Sequence, residues 1–185
     1  MSVTLYVPRD AVALGLGANR VARALFAGAE RRGLDVTIVR TGSRGMLWLE
    51  PMVEVGTAEG RIAYGPVTLS DVDALLDAGL VQGGDHPLRL GDPEKIPYLA
   101  RQHCLTFQRC GVVDPVSVAD YRAHGGYRGL EEALKRDAAG IVAEVRESGL
   151  RGRGGAGFPA GIKWNTVMLA QSHQKYVVCN ADEGD

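Results

Sequence analysis

The stretch MVEVGTAEGRIAYG (52–65) decides the fold of the N-terminal part of the chain, because it predicts a β-hairpin. Two apolar segments, MVEV (52–55) and RIAYG (61–65), flank the turn-forming residues TAEG. Upstream of the hairpin, VTLYV (3–7) and DVTIVR (35–40) each predict a further strand. The hairpin therefore follows two earlier strands.

Helical patterns lie between and after these strands. Gly33 is expected to end the first helix, and Ser70 to cap a final helix that carries Val72 and Leu75. The resulting order β-α-β-β-β-α predicts an α/β fold of the thioredoxin-like type over residues 1–82. The apolar residues of the first helix recur at helical spacing and are Ala18, Val21, Ala22, Leu25, Phe26 and Ala29.

The next two segments differ in composition. GGDHPLRLGDPEKIP (83–97) is rich in Gly, Pro and Asp and is predicted to be a linker. Residues 98–148 form a helical lead-in of short helices, in which Ser117 caps one helix and Gly149 ends the last one. The remaining residues, 149–185, are expected to begin a second domain.

Charge and composition exclude several classes of protein. With 21 Lys+Arg against 22 Asp+Glu, the formal net charge is −1, which gives no electrostatic reason to expect nucleic acid or an anionic membrane as a partner. Three scattered cysteines do not form a disulfide framework, and Cys104 and Cys110 lack zinc spacing, so no metal site is expected. The sequence shows no signal peptide pattern and no apolar run long enough to span a bilayer, so the expected setting is cytoplasmic.

Glycine is concentrated in one loop. Of the 25 glycines, six fall in GLRGRGGAGFPAG (149–161), where Arg151 and Arg153 add positive charge, and Lys163 follows two residues after it. Such a loop can turn successive backbone N–H groups toward one anion, and the helix predicted from about Pro159 to Ala170 would add its positive end. These features indicate a cradle for a phosphate or pyrophosphate.

Two alternatives remain for this region. Gly152, Gly154 and Gly157 also satisfy the G-x-G-x-x-G pattern of a dinucleotide-binding Rossmann unit, but the segment before them has helical spacing where that unit needs a strand. After the loop, KYVVC (175–179) predicts a strand in which Cys179 is a buried core residue. The strand ends in a polar turn that carries Asn180, Asp182, Glu183 and Asp185. Two interpretations of this turn remain open: it binds a ribose or flavin group, or it is a solvated turn.

SGLRGRGGAGFPAGIKW (148–164) followed by KYVVCNADEGD (175–185) resembles the flavin- and NADH-binding subunits of the complex I family. The family includes the diaphorase subunits of NAD-linked hydrogenases and formate dehydrogenases. The resemblance implies an oxidoreductase subunit that passes hydride between NAD(H) and FMN and exchanges electrons with iron–sulfur clusters. It also implies that the chain covers only the N-terminal part of such a subunit, which alone would be inactive, and that a [4Fe–4S] site lies in the remainder.

The resemblance assigns residues to the two cofactors. It implies that FMN contacts Gly152, Arg153, Gly154, Lys163, Asn180, Asp182 and Glu183. It implies that NAD contacts Gly155, Ala156, Phe158 and Asp185, with Phe158 stacking on a ring of the nucleotide. Because the flavin performs the chemistry, no catalytic acid or base is assigned.

The N-terminal part resembles one branch of that family. Related subunits hold a [2Fe–2S] cluster through cysteines, but here Pro8, Ala13, Ser43 and Leu47 stand at the corresponding places, and residues 1–82 contain no cysteine. The absence of cysteine implies that this part of the chain holds no [2Fe–2S] cluster. In lacking these cysteines, the chain resembles the diaphorase subunit of soluble, NAD-dependent molybdenum formate dehydrogenases. The implied partners are a molybdenum-containing catalytic subunit and a small iron–sulfur subunit. A hydrogenase or complex I subunit, or a non-catalytic docking module in which Met46, Leu47 and Trp48 offer apolar surface, remains an alternative.

Overall fold

The computed structural model describes residues 2–179, and the chain divides into two compact units, 1–126 and 127–185. The first unit is built on a sheet with strands β1 (Val3–Pro8), β2 (Val36–Thr41), β3 (Val53–Thr57), β4 (Gly60–Tyr64) and β5 (Arg89–Gly91). Its helices are α1 (Ala11–Gly15), α2 (Ala18–Arg31), α3 (Val72–Asp77), α4 (Pro97–Ala100) and α5 (Val118–Ala123). The second unit contains α6 (Arg128–Ala133), α7 (Ala138–Glu147) and α8 (Ala160–Leu169).

The five strands lie in the order β2-β1-β3-β4-β5. β1 pairs with β2 in parallel, and the other neighbours pair antiparallel. The parallel pair is joined through α2, and the hairpin β3–β4 continues the sheet on the other side of β1. This topology is thioredoxin-like, so the predicted fold class is confirmed.

Alternate residues of β4 enter two separate apolar clusters, because successive strand side chains point to opposite faces of a sheet. Tyr64 belongs to the main core, which α2 and α3 close with Leu25 and Leu75. Ala63 belongs to a smaller cluster with Met46 and Met52. Both faces of the sheet are therefore covered.

A buried charge network lies beside the smaller cluster. The Glu54 carboxylate accepts hydrogen bonds from Arg44 Nε (2.5 Å) and from Arg61 Nη1 (3.2 Å). Arg61 also donates to the carbonyls of Gly111 (3.1 Å) and Val112 (2.7 Å). The network satisfies the buried carboxylate and fastens the segment around Gly111 to the sheet.

The structure corrects some local predictions in the first unit. The final helix is preceded by a 3-10 turn (Leu69–Asp71) that Thr68 caps, while Ser70 lies inside that turn. Phe26 is largely exposed on α2, and Gly28 takes a buried place on that helix. Part of the segment 83–97 is β5, which extends the sheet beyond β4. Met46, expected at the surface, is buried.

The second unit also differs from one prediction. KYVVC (175–179) forms no strand, and Val177, Val178 and Cys179 are exposed. A strand needs a neighbour to share its backbone hydrogen bonds. Among residues 127–179 the structure contains no strand that could pair with it. The predicted helices are present: Ser117 caps α5, and α7 ends just before Gly149, whose φ is +66°.

Candidate functional site

The glycine loop leaves α7 and returns to α8 as a closed hairpin. Gly152 N–H donates to the Phe158 carbonyl (2.8 Å), and Ala160 N–H donates to the Leu150 carbonyl (2.8 Å). These two bonds and the antiparallel bridge between Arg151 and Pro159 fix the base of the loop. Residues 153–157 form its tip.

The tip of the loop leaves room for a ligand against the backbone. Gly157 N–H donates to the Gly154 carbonyl (3.1 Å) and closes a turn there. A Cβ placed on Gly154 or Gly155 would meet no atom within 4 Å. Among residues 2–179, nothing accepts a hydrogen bond from the N–H groups of residues 153–156. Exposed glycine backbone with available N–H donors is what an anion cradle requires, so the residues present fit a phosphate-bearing cofactor.

The start of α8 adds to the positive character of this site. Pro159 occupies the N-cap position and supplies no side-chain acceptor to the first turn. The unpaired N–H groups of a helix N-terminus attract anions, and so does the helix dipole. Lys163 lies at the end of that first turn, where its Nζ is 5.5 Å from the centre of the Phe158 ring. The helix, the lysine and the aromatic ring thus meet beside the loop.

A close helix contact determines where α8 begins. A Cβ built on Gly161 would lie 2.6 Å from Arg146 Cα, which is far inside van der Waals contact. Since Arg146 belongs to α7, only glycine allows the two helices to approach this closely. Gly161 therefore sets the position of the α8 N-terminus relative to α7.

The structure brings together most of the residues assigned to the site. Gly152, Arg153, Gly154 and Lys163 (FMN) and Gly155, Ala156 and Phe158 (NAD) all lie in the loop or in the first turn of α8. Phe158 exposes 43% of its surface and is therefore accessible to a planar ligand. Asn180, Asp182, Glu183 and Asp185 lie outside the described residues. The Rossmann alternative is wrong at its first element, because α7 precedes the loop where that motif needs a strand.

Sequence reasoning missed two structural residues of the site. It treated Arg151 only as a positive charge, whereas Arg151 Nε donates to the Gly157 carbonyl (2.6 Å). It gave Gly161 no separate role, although this glycine faces Arg146. Neither contact has a signal in residue spacing, since each depends on how the loop and the helices pack.

Other side chains occupy the turn in which the resemblance implies cluster cysteines. Ser43 Oγ donates to Glu50 Oε1 (2.7 Å), and the Met52 N–H donates to Glu50 Oε2 (2.9 Å). Burial raises the pKa of Glu50, and the nearby charges of Asp10 and Glu54 raise it further. Ala13, at another of these places, is fully buried. These side chains supply no thiolate, which is the ligand that holds a [2Fe–2S] cluster.

Two further observations concern residues 2–179. No group of three or more His, Cys, Asp or Glu side chains in this part of the chain could hold a metal ion. None of its helices is long and apolar enough to cross a membrane.

The glycine loop and α8 lie in a region with a recognisable family pattern. Residues 145–185 match the Nuo51 FMN-binding domain. The match includes the end of α7, the whole loop and α8, which are the elements that form the cradle.

Three curated relatives extend this comparison. The NADP-reducing hydrogenase subunit HndC of Solidesulfovibrio fructosivorans is 52% identical over 85 residues, covering 46% of this chain and 17% of its own length. An NADH-quinone oxidoreductase subunit of Rhizobium meliloti is 51% identical over 75 residues, covering 40% and 18%. The NAD-reducing hydrogenase HoxS subunit alpha of Cupriavidus necator is 33% identical over 129 residues, covering 65% and 19%. All three relatives are oxidoreductase or hydrogenase subunits.

The chain covers only a small part of each of these relatives. The chain spans about a fifth of the length of the curated relatives it matches. Among solved structures, the wild-type thioredoxin-like [2Fe–2S] ferredoxin of Aquifex aeolicus matches with a TM-score of 0.41 and 20% identity, covering 49% of this chain and 98% of the ferredoxin.

Proposed function

We propose that this chain is part of an NADH:flavin electron-transfer module that binds FMN in the glycine loop. The observation that carries the proposal is the open, N–H-lined loop tip before α8, which lies inside the segment that matches an FMN-binding domain. The chemistry that FMN supplies when bound is hydride exchange with a nicotinamide and single-electron exchange with iron–sulfur clusters. The chain itself contributes binding and orientation.

Each part of the site has a distinct task in this proposal. Gly152 and Gly154 let the cofactor phosphate approach the backbone, and Arg153 and Lys163 neutralise its charge. Gly155, Ala156 and Phe158 form the surface for the nicotinamide nucleotide, with Phe158 stacking on a ring. Asn180, Asp182 and Glu183 complete the FMN site, and Asp185 the NAD site. The proposed division of the chain is a thioredoxin-like domain (1–82), a connecting segment (83–97), a helical lead-in (98–148) and the beginning of the FMN- and NADH-binding domain (149–185).

Removing the amine of Lys163 tests the FMN assignment. We expect Lys163→Ala to weaken FMN binding by about 1–3 kcal/mol, the range for a charge-assisted hydrogen bond. Flavin fluorescence titration of the cofactor-stripped protein gives the dissociation constants. Lys135→Ala is the matched control, because Lys135 is an exposed lysine of the same unit that pairs with Glu132. Equal FMN affinity in Lys163→Ala and the control would contradict the assignment.

We further propose that the whole protein belongs to an NAD-dependent formate dehydrogenase complex, with a molybdenum-containing catalytic subunit and a small iron–sulfur subunit as partners. The absence of cysteine from residues 1–82 supports this branch of the family. An NAD-linked hydrogenase is the second candidate, favoured by the relative from Cupriavidus necator, which matches over 65% of this chain. Formate-dependent or hydrogen-dependent NAD⁺ reduction by the purified complex separates the two.

The same proposal leaves residues 1–82 without a [2Fe–2S] cluster, because Pro8, Ala13, Ser43 and Leu47 stand at the places where the resemblance would put the cysteines. Iron and sulfide reconstitution of this chain, compared with a variant carrying serine at Cys104, Cys110 and Cys179, tests it. We expect both proteins to bind no stoichiometric iron and to give no cluster signal in electron paramagnetic resonance after reduction. A stoichiometric [2Fe–2S] signal that persists in the serine variant would contradict the proposal.

A further inference from the structure

Arg151 makes a hydrogen bond within the glycine loop itself. Its Nε, the innermost nitrogen of the guanidinium, donates to the Gly157 carbonyl at 2.6 Å. The bond spans six residues and joins the base of the loop to the end of its tip. Gly157 has a φ of +53°, a conformation that suits glycine, so the carbonyl is presented to Arg151 at no steric cost.

Holding this carbonyl also fixes the next N–H. The Gly157–Phe158 peptide is trans, and in a trans peptide unit the C=O and N–H bonds point in opposite directions. Because the carbonyl points to Arg151, the Phe158 N–H points away from the guanidinium. Within residues 2–179 this N–H has no hydrogen-bond acceptor. It is therefore available to a ligand.

We propose that Arg151 is a positioning residue, which orients the Gly157–Phe158 peptide so that the Phe158 N–H joins the donors that receive the FMN phosphate. This inference rests on the proposed FMN site and divides the work among its cations. Arg151 Nε is hydrogen-bonded to the loop backbone, whereas Lys163 lies beside the Phe158 ring and Arg153 lies on the exposed tip. Arg151 shapes the cradle, and the other two supply charge to it.

The side chain of lysine separates the two roles. Lysine keeps the positive charge of Arg151 but has a methylene group at the place of Nε, so it removes the donor at that position. Methionine removes both the charge and the donor. If Arg151 positions the peptide, Arg151→Lys and Arg151→Met lose the same function. If Arg151 contacts the phosphate by charge, lysine rescues the binding that methionine loses.

The experiment compares two flavins on the full, cofactor-stripped protein. FMN carries the phosphate and riboflavin does not, so the ratio of their dissociation constants reports on the phosphate cradle alone. We expect both Arg151 variants to weaken FMN binding by about tenfold to a hundredfold, the effect of one hydrogen bond to a charged group, and to leave riboflavin binding within about twofold. Arg153→Gln is the comparison: it should also weaken FMN, and it should reduce the salt dependence of FMN binding, which the Arg151 variants retain.

Four outcomes would overturn the proposal. They are unchanged FMN affinity in both Arg151 variants, rescue by lysine, a salt dependence reduced as in Arg153→Gln, and an equal loss of FMN and riboflavin, which a purely structural role would produce. Circular dichroism of each variant checks that the helices are retained. If the unaltered protein binds FMN no better than riboflavin, the proposed FMN site itself fails, and this result is distinct from a failure of Arg151.

Discussion

Three glycines of the loop region are glycine for three different reasons. Gly157 adopts a positive φ, and Gly161 packs against the backbone of Arg146, so a side chain at either place would disturb the protein itself. Gly154 has neither constraint, since a Cβ there meets no atom of the described protein within 4 Å. The proposed ligand supplies a reason for glycine at this position.

Gly154→Val is therefore a clean test at the residue scale. The valine side chain should occupy the space where the phosphate approaches, and we expect the FMN content of the purified protein to fall at least tenfold while the fold is retained. Flavin released by denaturation measures the content, and the thermal unfolding midpoint checks the fold. Gly129→Val is the control, because Gly129 is equally open and belongs to α6, outside the loop sequence. Full flavin content in Gly154→Val would remove the ligand explanation.

The sequence predicts those site residues whose role follows from the side chain itself, such as a positive charge or an aromatic ring. Lys163 and Phe158 fall together beside the loop because both belong to one short segment around the start of α8. The bond from Arg151 to the Gly157 carbonyl could not be predicted, since it depends on the closure of the loop. The approach of Gly161 to Arg146 could not be predicted either, because nothing in the spacing says which face α7 presents.

At the scale of elements, strong patterns predicted the structure and weak ones did not. The hairpin β3–β4 and the long amphipathic α2 were predicted because alternation and helical spacing extend over enough residues to show a period. β5 was missed because three residues carry no period, and its pairing with β4 supplies the order. Residues 175–179 were predicted as a strand from apolar character alone, but a strand also needs a partner.

The cap before α3 gives a prediction at this scale. Thr68 and Asp71 form a capping box. Hydrogen bonds to Asp71 Oδ2 from the Thr68 hydroxyl (2.5 Å) and from the Thr68 N–H (2.8 Å) lower the pKa of Asp71. We expect Thr68→Ala to lower the free energy of unfolding by about 0.5–2 kcal/mol, as for other N-cap losses. Urea unfolding of the chain gives this value.

Ser70→Ala is the matched comparison for that cap, because the one side-chain hydrogen bond of Ser70 within residues 2–179 is to the Thr68 hydroxyl, at 2.8 Å. Its effect should stay below about 0.5 kcal/mol, the range of an ordinary surface substitution. A larger loss in Ser70→Ala than in Thr68→Ala would return the capping role to Ser70.

At the scale of the whole molecule, Glu50 links stability to pH. Its pKa is raised by burial in the folded state, so the folded protein binds the proton more tightly than the unfolded chain does. The resulting stability is fully present below the unfolded pKa of a glutamate and is lost as pH rises through the folded pKa. Glutamine stays neutral at all pH values and can retain both hydrogen bonds, one as donor to Ser43 and one as acceptor from Met52.

We therefore expect Glu50→Gln to gain stability relative to the unaltered chain as the pH is raised from 5 to 8, because only the unaltered chain loses the stability that is linked to the raised pKa of Glu50. Urea unfolding at the two pH values measures the difference. Glu59→Gln, at an exposed glutamate of the hairpin turn, should show no such trend. A parallel pH dependence in Glu50→Gln and the unaltered chain would show that Glu50 does not cause it.

The bonds from Arg61 to Gly111 and Val112 also determine how the first unit would respond to a cut. Residues 101–108 are all exposed, yet Leu99 before them packs on the smaller apolar cluster, and Gly111 after them is tied to β4 through Arg61. A protease that cleaves this loop breaks the covalent chain but not the attachments on either side of the cut. The two fragments should remain associated in native buffer. They should separate only when denaturant unfolds the sheet to which both are attached.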